Sequence, residues 1–328
     1  MAPTHKVAVI QWHIKACIEH LKGPYLCILL AAGPPGPDAM LHMHTIEENH
    51  AKACDYIRQA AAQGAELAVL PEYHLNGWAP SDPLYAIQAG DYQKYLGAYQ
   101  SLAKELSMCI VPGTIVEKHP ISSNPADSNQ EGEAKEYHLY NTAHFISSDG
   151  TILGSYRKKN LWHPERKYLT SSGHDPHEVI DTPIGKVGFL ICWDLAFPEA
   201  FRELVAGGVE VVVVPTFWTR QDASPTALSL NPNSEALFLE STLTSRCFEN
   251  TCAVIFANVA GPRDRYLGMS RVCLPHVGPV GGKTMGAEEE GVLVVEMDLG
   301  VLKVAEENYK VREDIGREGW HYVYRHMK

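Results

Sequence analysis

The chain has little that would mark it as a metalloprotein or as a disulfide-stapled secreted protein. Its eight cysteines form no CxxC pair, and its sixteen histidines occur in no HExxH motif and in no Cys/His grouping with zinc spacing. A chain of 328 residues can bury a sizeable core and needs no staples. We therefore expect reduced thiols, no metal site and a cytoplasmic location.

Long apolar runs and basic patches are also missing. The apolar run from Tyr25 to Ala32 is far shorter than the ~20 residues that span a bilayer, and the N-terminus has no signal-peptide pattern. With 28 basic and 39 acidic residues the formal net charge is −11, which disfavours binding to phosphate backbones. The sequence predicts neither a nucleic-acid partner nor a membrane partner.

Strand-like and helical patterns alternate along the chain, and no linker or repeat divides it. We expect one α/β domain with layered sheets over residues 6–300, followed by a tail, 301–328, that contributes to an oligomer contact. Residues 16–44 break the pattern, because Gly33-Pro-Pro-Gly-Pro37 opposes regular structure. The first helix is predicted to begin at Thr45, which forms a capping box with Glu48. We interpret residues 16–44 as an atypical insert, either a disordered loop or a gene-model artefact.

Three reactive side chains directly follow strand-like runs. They are Glu72 after ELAVLP, Lys158 after ILGSYR and Cys192 after VGFLI. In α/β proteins, ligands bind at the carboxyl ends of strands. Each residue also has an ordinary structural interpretation: Glu72 could cap a turn, Lys158 could be a solvated member of a basic run, and Cys192 could be an inert core thiol.

The stretches around these residues resemble the nitrilase superfamily of carbon–nitrogen hydrolases. The matching motifs are LPEYHLNGW (70–78), YRKKNLWHPE (156–165) and ICWDLAFPEAFREL (191–204). The resemblance covers the chain from about residue 6 to residue 298, apart from 16–44. It implies an αββα four-layer sandwich, usually assembled as a homodimer or higher homo-oligomer. It also implies a Cys-Glu-Lys triad with a supporting glutamate, which correspond here to Cys192, Glu72, Lys158 and Glu165.

Two positions qualify the match. Lys159 lies next to Lys158, and the Arg-Lys-x-x-Leu pattern selects Lys158. Asn160 stands where histidine is common in the family. We expect this change to be tolerated because the side chain is not a triad member.

The implied chemistry is hydrolysis through a thioester. A free thiol has a pKa of about 8.5, so it needs a base or a nearby cation to attack at neutral pH. Lys158 would favour the thiolate and, with the backbone N–H of Trp193, bind the oxyanion. Glu72 would transfer the protons, and Glu165 would position the partners of Glu72 or the substrate nitrogen. The mechanism requires no metal or organic cofactor.

The substrate is less closely determined. Asp194 follows Trp193 where true nitrilases commonly have glutamate, which favours a small amide over a nitrile or an N-carbamoyl compound. A non-catalytic binding protein of the same family is a further alternative. Several aromatic side chains are either pocket walls or simple core packing: Tyr73, Trp162, Trp193, Phe217 and Trp218.

Overall fold

The computed structural model describes residues 3–16, 37–121 and 137–320, including side chains other than those of residues 37–44. Two β-sheets pack face to face, and helices cover their outer faces. The predicted αββα four-layer sandwich is confirmed.

The strands of the described residues alternate with helices along much of the chain. In chain order the strands are β1 (Thr4–Gln11), β2 (Leu67–Val69), β3 (Cys109–Val111), β4 (Ile115–Pro120), β5 (Tyr137–Ile146), β6 (Ile152–Arg157), β7 (Val179–Thr182), β8 (Gly185–Phe189), β9 (Val211–Pro215), β10 (Ala253–Ala257), β11 (Arg271–Leu274), β12 (Gly278–Pro279) and β13 (Gly291–Asp298). The α-helices are α1 (Pro37–Ala62), α2 (Tyr85–Gln88), α3 (Tyr92–Leu106), α4 (Pro198–Ala206), α5 (Pro225–Leu230), α6 (Ser234–Asn250), α7 (Gly300–Tyr309) and α8 (Val311–Gly316).

Each sheet has a parallel centre and antiparallel edges. The first has the order β13-β1-β2-β3-β5-β4, with β6 also paired to β5, and its strands β1, β2 and β3 are parallel. The second has the order β12-β11-β10-β9-β8-β7, with β8, β9 and β10 parallel. Ligands bind beyond the carboxyl ends of such parallel strands.

The apolar runs form strands that are buried on both faces. In β1, Val7 and Val9 belong to the core between the sheets, whereas Ala8 and Ile10 pack under the outer helices. Both faces of the strand meet protein, so the sequence is continuously apolar and does not alternate with polar residues. Helices α1 and α3 cover the first sheet, and α4 and α6 cover the second.

The predicted start of the first helix at Thr45 is wrong. Helix α1 begins at Pro37, and proline is well suited to the first turn, where no intrahelical partner for a backbone N–H exists. Residues 37–44 of the predicted insert are therefore helical. Residues 17–36 of that segment lie outside the described residues.

The C-terminal tail starts within α7 and continues into α8. Arg312 of α8 donates hydrogen bonds to the carbonyl oxygens of Val209 at 2.6 Å and Thr251 at 3.1 Å. These contacts attach the tail to the residues just before β9 and β10 of the second sheet. Its contribution to an oligomer contact stays a prediction, and residues 321–328 lie outside the described residues. Throughout the described part of the chain, every helix is too short or too polar to cross a bilayer.

Candidate active site

Three strand ends from the two sheets bring the predicted site residues together. Glu72 follows β2, Lys158 follows β6 and Cys192 follows β8. Glu165 lies on a short 3-10 helix, His163–Lys167. All four side chains are almost completely enclosed, with exposures of 0% for Glu72, 1% for Lys158, 3% for Glu165 and 8% for Cys192.

The ammonium group of Lys158 lies between two carboxylates. Its Nζ donates to Oε1 of Glu72 at 2.9 Å and to Oε1 of Glu165 at 2.7 Å. Lys159 is only partly buried. The lysine that reaches the carboxylates is therefore Lys158, the one selected by the sequence pattern.

Both oxygens of Glu72 are held by donors. Oε1 accepts a hydrogen bond from Nδ2 of Asn141 at 2.8 Å, and Oε2 accepts one from the backbone N–H of Phe217 at 2.9 Å. Sequence reasoning assigned no role to Asn141. The sequence signal that could have identified it is an amide side chain within the strand-like run that forms β5, because a buried polar group needs a hydrogen-bond partner.

A close backbone approach sets the position of Glu72. Gly113 has φ +59°, and a Cβ at this residue would lie 1.8 Å from the carbonyl oxygen of Pro71. The next residue, Thr114, accepts a hydrogen bond at Oγ1 from the N–H of Tyr73 at 3.1 Å. Only glycine permits both this φ and this approach, so the turn after β3 fixes the chain on either side of Glu72.

Glu165 is tied to its surroundings by both carboxylate oxygens. The Tyr73 hydroxyl donates to Oε1 at 2.5 Å, and the Trp162 N–H donates to Oε2 at 2.6 Å. Glu165 thus contacts Lys158, which is the cation that binds Glu72. This geometry matches the first of the two tasks expected for Glu165, positioning a partner of Glu72.

Cys192 lies on a strained turn. Its φ of +47° is in the left-handed region, which a non-glycine residue rarely adopts. The residue begins a short 3-10 helix, Cys192–Ala196, and Oδ2 of Asp194 accepts the N–H of Ile191 at 2.9 Å. The Sγ atom lies 4.0 Å from the carbonyl oxygen of Phe217. Phe217 therefore contacts Glu72 through its N–H and the thiol through its C=O.

Asp194 connects the cysteine turn to the lysine loop. Its Oδ1 accepts both the backbone N–H and the Nδ2 of Asn160, each at 2.8 Å, and its Oδ2 also accepts the Tyr156 hydroxyl at 2.9 Å. Asn160 thus makes the link that joins Lys158 to the cysteine turn. Sequence reasoning used Asp194 only to choose between substrate classes and missed this tertiary role.

The electrostatics of the site favour a neutral thiol at rest. Burial is the largest cause that raises the pKa of Cys192 well above its usual value, and the Glu72 charge adds to it, while Lys158 opposes both. Lys158 therefore lowers the pKa of Cys192 as expected, but burial and the charge of Glu72 raise it by more. Burial alone would lower the pKa of Lys158, yet Glu165 and Glu72 hold it well above the usual range.

Glu72 is poised to gain or lose a proton near neutrality. Burial raises its pKa to about 7, and the positive charge of Lys158 limits the rise. A carboxyl group with this pKa can accept a proton and return it at pH 7, which is what a general base and acid must do.

A cavity of about 370 Å³ opens above these residues. Cys192, Glu72 and Glu165 form part of its wall. All five aromatic residues proposed as pocket walls, Tyr73, Trp162, Trp193, Phe217 and Trp218, line it. Sequence reasoning did not anticipate four polar residues at the same cavity, which come from two later segments of the chain: Thr219, Gln221, Asp222 and Arg265.

No metal centre is present among the described side chains, since no group of three or more His, Cys, Asp or Glu residues converges there with suitable geometry. The cysteines described outside the site, at positions 54, 109, 247, 252 and 273, are free thiols. At the cysteine end of the cavity lie a thiol and two carboxylates, Cys192, Glu72 and Glu165, and the ammonium group of Lys158 binds both carboxylates.

A model of the carbon–nitrogen hydrolase family matches residues 33–306. The chain belongs to this family. The resemblance that the three motifs carry is therefore confirmed. The match begins after β1, although β1 pairs with both β2 and β13 in the first sheet.

Related proteins include both nitrilases and amidases by name. A probable nitrilase of Schizosaccharomyces pombe is 33% identical over 184 residues, covering 55% of this chain and 61% of that protein. The 2-oxoglutaramate amidase of Bacillus subtilis is 26% identical over 275 residues, covering 81% of this chain and 91% of the amidase. The chain thus spans less than two thirds of the fission yeast relative but most of the bacterial one.

Solved structures share the fold. The carbon–nitrogen hydrolase of Helicobacter pylori G27 superposes with a TM-score of 0.71 at 18% identity, covering 97% of each chain. At this identity the similarity supports the four-layer sandwich, and the chemistry must be argued from the site itself.

Proposed function

We propose that the protein is a cofactor-independent thiol hydrolase that cleaves the non-peptide carbon–nitrogen bond of a small amide. The observation that carries this proposal is the enclosed group of four side chains: a thiol on the cavity wall, and an ammonium group within 2.9 Å of one carboxylate and 2.7 Å of another. The similarity to an amidase along 81% of the chain supports the choice of bond.

In the first step Sγ of Cys192 attacks the amide carbon, and Glu72 takes the thiol proton. Because the thiol is neutral at rest, proton transfer accompanies the attack and no preformed thiolate is required. The carbonyl π-electrons move to oxygen, which becomes an oxyanion. Lys158 Nζ and the backbone N–H of Trp193 stabilise this charge, and one such donor is typically worth about 3–4 kcal/mol.

In the second step the carbon–nitrogen bond breaks. Glu72 returns its proton to the leaving nitrogen, and ammonia or an amine departs from the Cys192 thioester. Water then attacks the thioester carbon while Glu72 accepts a proton from the water. Collapse of the second tetrahedral intermediate releases a carboxylic acid, and the proton returns to the thiol.

Glu165 is a positioning residue in this scheme. It gives Lys158 a second carboxylate partner beside Glu72 and is itself held by the Tyr73 hydroxyl and the Trp162 N–H. Because Lys158 keeps a carboxylate partner when Glu72 becomes protonated, its charge stays high throughout the cycle. The ammonium group is then available to the oxyanion at each tetrahedral step.

We expect the purified protein to release ammonia from small primary amides faster than from matched nitriles or N-carbamoyl compounds. An enclosed carboxylate of pKa about 7 can protonate an amine leaving group directly. A panel of the three substrate classes with equal carbon skeletons, assayed for ammonia, measures the preference. A faster nitrile or carbamoyl reaction would replace the amide assignment, and binding without turnover would identify a non-catalytic family member.

We expect kcat/KM to fall as the pH drops through about 7. Glu72 must be ionised to accept the thiol proton, and burial has raised its pKa to about 7, so the active form is lost below that pH. Values of kcat/KM measured with an uncharged amide between pH 5 and pH 9 give the pH profile. Asn141→Ala removes a hydrogen bond that stabilises the ionised form of Glu72. This substitution should therefore raise the pKa of Glu72 and shift the acidic limb of the kcat/KM profile to higher pH. If the acidic limb stays at the same pH in Asn141→Ala, Glu72 is not the base whose titration sets it.

A further inference from the structure

Two loops form the outer wall of the active-site cavity and hold each other in place. The loop after β9 pairs with the loop after β10 through a β-bridge between Thr219 and Tyr266. The Arg220 N–H also donates to the carbonyl oxygen of Arg265 at 2.9 Å. Residues on this wall keep a defined position relative to the site.

Asp222 brings a carboxylate into this wall that the hydrolytic mechanism does not use. It ends the short 3-10 helix Arg220–Asp222 and lines the cavity together with Cys192. Its Oδ2 accepts the N–H of Thr219 at 2.6 Å. Burial raises its pKa to about 6, and the negative charge of Glu235 adds to the rise. The group is therefore mainly ionised at neutral pH, at a place where further positive charge would be stabilised.

Tryptophan rings line the same cavity as Asp222 and the cysteine. The rings of Trp162 and Trp193 lie 4.5 Å apart at 66°, and those of Trp193 and Trp218 lie 5.6 Å apart at 49°. The indole N–H of Trp218 donates to Glu235 Oε2 at 2.6 Å, which places a second carboxylate behind this wall. Faces of tryptophan attract cations, most strongly where water is excluded.

We propose that the enzyme is selective for small amides that carry an ammonium group, which Asp222 binds against the tryptophan wall while the amide carbon meets Cys192. This selectivity rests on the proposed amidase function. A cavity of about 370 Å³ is large enough for a small ligand to contact both ends. The substrate class is an aminoalkyl amide.

The alternative is an amide with a carboxylate, bound by Arg265. This arginine also lines the cavity, but it is exposed to solvent and its guanidinium carbon lies 5.9 Å from the centroid of the Tyr266 ring. Exposed ion pairs contribute little. Glu72 and Glu165 share the single cation Lys158, and Asp222 adds a third carboxylate to the cavity lining. The lining therefore favours a cation over an anion.

Three substrates of equal length test the selectivity: a primary amide ending in a methyl group, one ending in an ammonium group and one ending in a carboxylate. In the unaltered enzyme the ammonium amide should have the highest kcat/KM. Asp222→Asn keeps an oxygen that can accept the Thr219 N–H but removes the charge. Since a hydrogen bond to a charged group is strong, this substitution should lower the ratio of ammonium to methyl kcat/KM by about tenfold to a hundredfold, mainly through KM.

Each outcome supports or overturns the selectivity. A preference for the carboxylate amide that disappears in Arg265→Gln would assign the wall to anion binding and overturn the proposal. Equal kcat/KM for the methyl and ammonium amides in the unaltered enzyme would also overturn it, whether or not the Asp222 variant folds. Failure to hydrolyse any of the three amides would instead overturn the proposed amidase function.

Discussion

Replacing Cys192 with alanine is expected to reduce amide turnover to background, a loss on the order of 10⁵- to 10⁶-fold by comparison with the removal of other catalytic nucleophiles. The side chain supplies the atom that bonds to substrate, and no other described cysteine lines the cavity. Alanine has the same backbone preferences at φ +47°, so the turn should persist. Ammonia release measures the loss, and thermal unfolding checks the fold.

A covalent readout distinguishes loss of the nucleophile from loss of structure. Single-turnover mixing of the unaltered enzyme with an amide, followed by acid quench and mass spectrometry, should show an acyl group on the peptide that contains Cys192. Cys54→Ala is the matched control, because Cys54 lies on α1 outside the cavity and its loss should leave both rate and adduct unchanged. Amidase activity that survives in the Cys192→Ala variant would refute the thioester mechanism.

The strand ends were the part of the site that the sequence predicted well. Glu72, Lys158 and Cys192 each follow a strand-like run. Glu72 and Cys192 come after the parallel strands β2 and β8, whereas Lys158 comes after β6, which is antiparallel to β5. A one-dimensional pattern can show where a buried strand stops. It cannot show which strand ends face one another, so the family motifs were needed to group the three residues.

The supporting contacts could not be predicted because they join distant segments. Asn141 reaches Glu72 across the first sheet, and Asp194 connects the cysteine turn to Asn160. Asp222 lines the cavity next to Thr219, which is bridged to Tyr266 of a distant loop. In sequence, Asn141 and Asp222 are unremarkable polar residues, and the motifs that contain Asn160 and Asp194 do not show that these two side chains bond to each other. Their roles depend on tertiary position, which a local pattern does not show.

The incorrect start of α1 has a local cause. A capping box at Thr45 and Glu48 predicts a helix N-terminus, but Ser, Thr and Asp residues also occur inside helices when the chain upstream can continue the turn. Here Pro37 begins the helix, so proline marks its first turn and does not exclude it. Local signals place an element more reliably than its boundary.

Replacing Lys158 with methionine is expected to lower both stability and activity. The substitution keeps the length of the side chain but leaves Glu72 and Glu165 as close, enclosed carboxylates without their cation. Removing one partner of a buried ion pair typically costs about 3–5 kcal/mol. Loss of the oxyanion donor should in addition lower kcat by about 10²- to 10³-fold. Denaturant unfolding and steady-state kinetics measure the two effects.

The adjacent lysine provides the matched control. Lys159 is partly exposed, so Lys159→Met changes the same charge without leaving carboxylates unpaired, and both stability and kcat should stay close to those of the unaltered protein.

The pH dependence of the stability deficit in Lys158→Met gives a second test. In Lys158→Met, Glu72 has lost the cation that limits the rise of its pKa, so this pKa increases further. Protonation of Glu72 then relieves its repulsion with Glu165, and the stability deficit should shrink as the pH falls. A deficit independent of pH would show that Lys158 stabilises the fold by packing and not by its charge. A larger loss in Lys159→Met would overturn the assignment of the active-site lysine.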